Sequence, residues 1–103
     1  MKTYYHGTSY ENMLSIVSNG IEPSIDGLVY LCEKPEHCAR FCYMHGIKNI
    51  VVFKVKIPKK LESRVIETFD HSYKFFNCKS FGFEGRITSD MITPFSQYDM
   101  ASN

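Results

Sequence analysis

The segment Asn49–Ile57 constrains the fold of this chain more than any other. Val51, Phe53, Val55 and Ile57 alternate onto one side, and Lys54 and Lys56 fall on the other at the far end. A period of two puts one row of side chains on each face of a strand, so this stretch needs a sheet around it and an apolar layer against it. Pro58 ends the strand, because proline has no amide to give to a ladder. A chain of 103 residues has room for one modest core. The remaining sequence must therefore supply both the neighbouring strands and their cover.

Residues 2–6 read as a short strand, and Leu28–Cys32 as an apolar strand buried on both faces. Residues 80–87 alternate again, with Phe81, Phe83 and Ile87 on one face and Gly82, Glu84 and Arg86 on the other. A further short strand is expected around Arg64, Val65 and Ile66, and residues 69–79 stay open between loop and strand. Two helices are expected. Ser9 is placed to cap the first, Tyr10, Met13, Leu14 and Val17 give it one apolar face, and Gly20 ends it. Pro23, Asp26 and Gly27 mark a loop. Pro35 suits the first turn of the second helix, which carries Cys38, Ala39, Phe41 and Cys42 inward and stops near His45 and Gly46. Residues 88–92 read as a capped turn and residues 93–103 as a loose tail. The order predicts one α+β domain over residues 1–103, with two helices in its N-terminal half and a mainly antiparallel sheet system.

Composition narrows the function classes. A net charge of +1 gives no bulk attraction to nucleic acid or anionic membrane, and 44% hydrophobic with 22% charged residues describes a folded chain. The lysines at 54, 56, 59 and 60 read as a solvated face before a nucleic-acid patch. No apolar run approaches the ~20 residues that span a bilayer, and Met1 to Tyr5 lack the apolar stretch of a secretory signal. A cytoplasmic location is expected (the host cytoplasm if the chain is phage-encoded), with the four cysteines as thiols.

Three places carry candidate chemistry. His6-Gly7-Thr8-Ser9 lies where a strand gives way to a helix, a junction whose free amides suit ribose or phosphate groups; a capped turn with a surface His is the plainer reading. Gly7 would let a ligand approach the backbone. Tyr30, in an apolar strand, is either a core ring or a platform for an aromatic ligand. Glu84 falls opposite Phe81 and Phe83, between the small neighbours Gly82 and Gly85. It is either a solvated carboxylate paired with Arg86 or a group that binds a sugar hydroxyl and steadies positive charge on the ring.

Taken in order, Tyr5-His6-Gly7-Thr8-Ser9, Val29-Tyr30-Leu31 and Phe83-Glu84-Gly85-Arg86-Ile87 resemble the His–Tyr–Glu branch of the ADP-ribosyltransferase superfamily, the branch of diphtheria toxin and the poly-ADP-ribose polymerases. The resemblance runs from about residue 4 to about residue 92 and includes the segment Ile87 to Ile92. It implies split, mainly antiparallel sheets around an NAD cleft, with NAD as co-substrate and no metal. It also implies that His6 bonds the ribose, the Gly7 backbone meets the nicotinamide amide, Thr8 and Ser9 lie near the adenosine side, Tyr30 stacks on nicotinamide and Glu84 holds the nicotinamide ribose. His6, Tyr30 and Glu84 would then be the catalytic set. Loss of neutral nicotinamide would leave positive charge on the ribose, which a fixed carboxylate stabilises. The acceptor would be a macromolecule, protein ahead of nucleic acid, and the small size fits a toxin or phage anti-defence effector.

Gly82 departs from the pattern, since arginine-modifying members carry Glu or Gln two positions before the catalytic Glu. An RNA 2′-phosphotransferase-like activity is an alternative, but that branch relies on several arginines and only Arg40, Arg64 and Arg86 occur here. NAD hydrolysis and a non-catalytic inhibitor or binding module are the others. Cys38, Cys42 and His45 have helical spacing for a metal, with Cys32 near in sequence, but buried thiols are the commoner outcome. A Cys78 or Cys32 nucleophile has no local signature.

Overall fold

A computed structural model describes residues 2–68 and 80–99. The strands are β1 (Lys2–Ser9), β2 (Leu28–Cys32), β3 (Asn49–Ile57), β4 (Val65–Thr68), β5 (Ser80–Glu84) and β6 (Ile92–Asp99). The α-helices are α1 (Met13–Asn19) and α2 (Pro35–Met44), and three short 3₁₀ turns precede α1, β4 and β6. The strands form one sheet in the order β4-β5-β2-β1-β3-β6, with every pairing antiparallel. The α+β class expected from the sequence is what the chain adopts.

The sheet is unevenly joined. β1 pairs with β3 along its whole length, from Lys2 opposite Ile57 to Ser9 opposite Ile50. Against β2 it makes one register pair, Tyr5 opposite Cys32. In place of two separate sheets there is one sheet with a thin central seam, and β1 and β2 part immediately beyond it.

Two apolar layers cross that seam. On one face Val29, Leu31 and Phe83 from the β2–β5 side meet Tyr4, Phe53, Val55 and Ile57 from the β1–β3 side, covered by Ile16 of α1 and by Met91. On the other, Cys38 and Cys42 of α2 pack on Ile50, Val52 and Cys32. The first half of β3 is thus buried on both faces, while Lys54 and Lys56 mark its more open end. Burying a side chain such as Phe53 or Phe83 contributes about 1.5–3 kcal/mol, so these layers compensate for the missing ladder.

Several expectations are corrected. β1 runs on through Ser9 and pairs with β3 throughout, so residues 6–9 lie within a strand and not where a strand gives way to a helix. β5 ends at Glu84, so Arg86 and Ile87 lie beyond it. The chain after Pro94 is strand β6, not a loose tail, as far as Asp99. Pro94 sits opposite Phe53, beside a register shift at the sheet edge, where no neighbour requires its missing amide. The inward residue of α1 is Ile16, with Met13 packed against the core, while Tyr10, Leu14 and Val17 are exposed. Ser9 precedes the first turn but its side chain makes no capping bond. Residues 69–79 and 100–103 lie outside the described residues, and Cys78 with them.

Gly20 ends α1 as expected, with its amide donating to the Ile16 carbonyl at 2.8 Å, but for a stronger reason than capping. Its φ of 83° with ψ of −169° suits glycine alone, and an added Cβ would lie 2.2 Å from the Ile87 carbonyl oxygen. Ile21 and Ile87 exchange backbone bonds at 2.8 and 3.0 Å beside it. Gly20→Ala is expected to lower the unfolding free energy by about 2–4 kcal/mol. Gly46→Ala, at φ 86° with nothing within 4 Å, should cost about 1 kcal/mol. Urea titrations of the two variants check the contrast.

Candidate functional site at the parted strands

Where the β1–β2 ladder stops, a side chain takes over. His6 Nδ1 lies 2.8 Å from the Tyr30 carbonyl oxygen, across the seam. A carbonyl only accepts, so Nδ1 carries the proton. Enclosure of the ring by protein lowers the His6 pKa, and the bond to Tyr30 offsets part of that effect. The imidazole is therefore neutral at neutral pH and Nε2 keeps a free lone pair. Successive residues of a strand aim their amides and carbonyls to opposite sides, so some backbone groups of residues 6–9 face the gap.

Two cavities open on the seam and share His6, Ser24 and Tyr30 in their walls. The one under α2, about 200 Å³, is closed by Gly7, Leu31, Phe41 and the three thiols of Cys32, Cys38 and Cys42. The one beside α1, about 350 Å³, adds Thr8, Asn12, Ser15 and Glu22. The first is mainly apolar and suits a flat ring; the second offers hydroxyl and amide groups suited to sugar hydroxyls.

The structure brings His6, Gly7, Thr8 and Tyr30 to these cavities. Thr8 Oγ1 accepts from Asn12 Nδ2 at 3.1 Å. Gly7 also lies close under α2: an added Cβ would lie 3.0 Å from Cys42 Sγ and 3.1 Å from Cys38 Cβ, so the helix would have to give by a few tenths of an ångström. Ser9 and Glu84 line neither cavity. Glu84 stands opposite Leu28 and Tyr30 opposite Gly82, so the two side chains share the α2 face of the sheet. Glu84 is exposed there. Its expected partner Arg86 is engaged elsewhere, with Nε 3.4 Å from Glu22 Oε1 and Nη2 donating to the Asn19 carbonyl.

Two contributors escaped the sequence reading. Asp26 accepts the Tyr30 hydroxyl on Oδ2 and the Leu28 amide on Oδ1, the latter at 3.1 Å. The Tyr30 hydroxyl first, then the Leu28 amide, hold the Asp26 carboxyl below its ordinary range. Ser24 belongs to the same turn and lines both cavities. An Asp two residues before a strand is the only local signal.

The thiols of Cys38 and Cys42 are quiet. Hydrogen bonding to Cys32, then burial, push Cys38 well up, and burial pushes Cys42 to about 11. Neither is a ready nucleophile. His45 does not join them; its Nδ1 lies 2.8 Å from the Phe41 carbonyl and its ring packs on Phe41 at the exposed end of α2. Among the described residues no group of three or more His, Cys, Asp or Glu side chains is arranged to hold a metal ion, and no helix is long and apolar enough to cross a membrane. Comparison with protein-family models, curated proteins and solved structures finds no match.

His6 also gives a pH signature. Its folded pKa lies below the ordinary 6.5, so the unfolded chain binds the extra proton first on acidification. The stability contributed by neutral His6 is present above that value and is lost as pH falls through it towards the folded pKa. Thermal unfolding between about pH 7.5 and about pH 5 should show a steeper fall in Tm for the wild type than for His6→Gln.

Proposed function

We propose that this chain is an NAD-dependent mono-ADP-ribosyltransferase with a minimal, ADP-ribosyltransferase-like fold, and that the parted β1–β2 seam is its NAD cleft. The observation that carries the reading is the meeting of His6 and Tyr30 across the seam, where both line two adjoining cavities of unlike chemistry. A dinucleotide is longer than either cavity, and in this reading it crosses the seam between them, where His6, Ser24 and Tyr30 border both. Tyr30 and Phe41 offer rings to a nicotinamide in the α2 cavity, and Thr8, Asn12 and Ser15 offer polar groups to a ribose in the other. His6 Nε2 accepts from a ribose hydroxyl, because its Nδ1 proton is committed to Tyr30. Glu84, on the same face as Tyr30, supplies the carboxylate against developing positive charge. The acceptor in this reading is a macromolecule, protein ahead of nucleic acid, and the chain acts in a cytoplasm, as a toxin or anti-defence effector.

The position of Glu84 outside both cavities favours a second reading, a module that binds NAD without transferring ADP-ribose. One experiment separates the two. The protein is incubated with labelled NAD and a cell lysate, with Glu84→Gln as control. Label on a macromolecule, reduced about 10²–10³-fold by Glu84→Gln, is the expected result. Measurable NAD binding without label transfer or nicotinamide release would establish the binding module, and free nicotinamide alone would establish hydrolysis. Tyr30→Ala should weaken NAD binding about tenfold, as read by calorimetry.

A further inference from the structure

We infer that Asp26 is a positioning residue that fixes the Tyr30 ring as a wall of the cleft and ties that ring to the strand end bearing Glu84. Tyr30 is held at one end by β2, where it stands opposite Gly82 and gives its carbonyl to His6. At the other end its hydroxyl donates to Asp26 Oδ2. A ring anchored only at Cβ turns about two side-chain torsions, and a bond at the hydroxyl removes most of that freedom. The ring then meets a ligand in one orientation, and less order is lost on binding.

Asp26 is itself held. Its Oδ1 accepts the Leu28 amide at 3.1 Å. The turn that carries it is closed by Gly27 N–H to the Ser24 carbonyl at 2.8 Å and Ser24 N–H to the Leu28 carbonyl at 2.9 Å. The Gly27 carbonyl then accepts from Gly85 N–H at 3.0 Å. Gly85 directly follows Glu84, so the turn that pins Tyr30 also fixes the chain where β5 ends. Leu28, between the two, lies over Gly82, where an added Cβ would come within 3.1 Å of Leu28 Cδ1. Both Asp26 oxygens act as acceptors. An Asn could keep the Leu28 bond through its oxygen and meet the Tyr30 hydroxyl through its amide, whereas Ala keeps neither.

The inference rests on the NAD reading for its ligand, and the test keeps the two apart. NAD affinity is measured by calorimetry on the full chain for wild type, Asp26→Ala, Asp26→Asn, Tyr30→Phe and the Asp26→Ala/Tyr30→Phe double variant, with the ring signals at position 30 followed by NMR. Asp26→Ala and Tyr30→Phe should each weaken binding about tenfold, the double variant no more than either, and Asp26→Asn should stay within about twofold of wild type. The aromatic ring at position 30 should flip faster in Asp26→Ala and Tyr30→Phe than in wild type and Asp26→Asn. Unchanged affinity in Tyr30→Phe, additive losses in the double variant, or an Asn variant as weak as Ala would overturn the role of Asp26. Tyr30→Phe decides the matter if Asp26→Ala does not fold. Wild-type protein that binds no NAD would refute the functional reading alone. The ring signals then decide the positioning role, and equal flip rates across the set would overturn it.

Discussion

The bond from His6 Nδ1 to the Tyr30 carbonyl is the constraint around which the molecule is arranged. A backbone ladder between β1 and β2 would have closed the centre of the sheet. Instead it stops after Tyr5 and Cys32, and a neutral imidazole bridges the two strands one residue further on. The gap this leaves is where the cavities lie. A side-chain bond there holds the strands at a fixed distance without filling the space, which a continued ladder could not do.

Such an opening in the middle of a six-stranded sheet weakens it, and the rest of the fold offsets the loss. β3 carries β1 along its full length and is buried on both faces in its first half. The layer under α1 joins Phe83 and Val29 to Phe53 and Val55 across the seam. On the opposite face α2 lies against β1, β2 and β3, close enough that a Cβ at Gly7 would be a tight contact with Cys38 and Cys42. Cys38 and Cys42 act here as small apolar groups, kept protonated by their surroundings. The helix therefore braces the seam and roofs one cavity at once.

Much of this was legible, and the failures have physical causes. β3 begins and ends where its alternation and Pro58 place it, because a period of two matches the way side chains alternate across a strand and proline cannot extend the ladder. Pro35 gave the start of α2 for the same kind of reason, by fixing φ where no amide is needed. Pro94 misled because proline marks either an ending or an edge strand, and only pairing partners distinguish them. Tyr10, Leu14 and Val17 misled because α1 is short and buries Ile16 instead; helical spacing defines a face without saying which way it turns. In the site, His6 and Tyr30 were visible as motifs, whereas the contact between them spans 24 positions and has no local signature.

Gly7 shows how a correct residue can carry an incomplete reason. From sequence, its value lay in letting a ligand near the backbone. In the folded chain it lines a cavity and also admits the Cys38–Cys42 side of α2. The two demands reinforce each other: a bulkier residue would push α2 outward, part the cysteine layer from Ile50 and Val52, and change the roof of the cavity before any ligand arrived. The candidate site and the second apolar layer thus depend on the same missing side chain. A substitution at Gly7 therefore acts on the packing of α2 and on the lining of the cavity together.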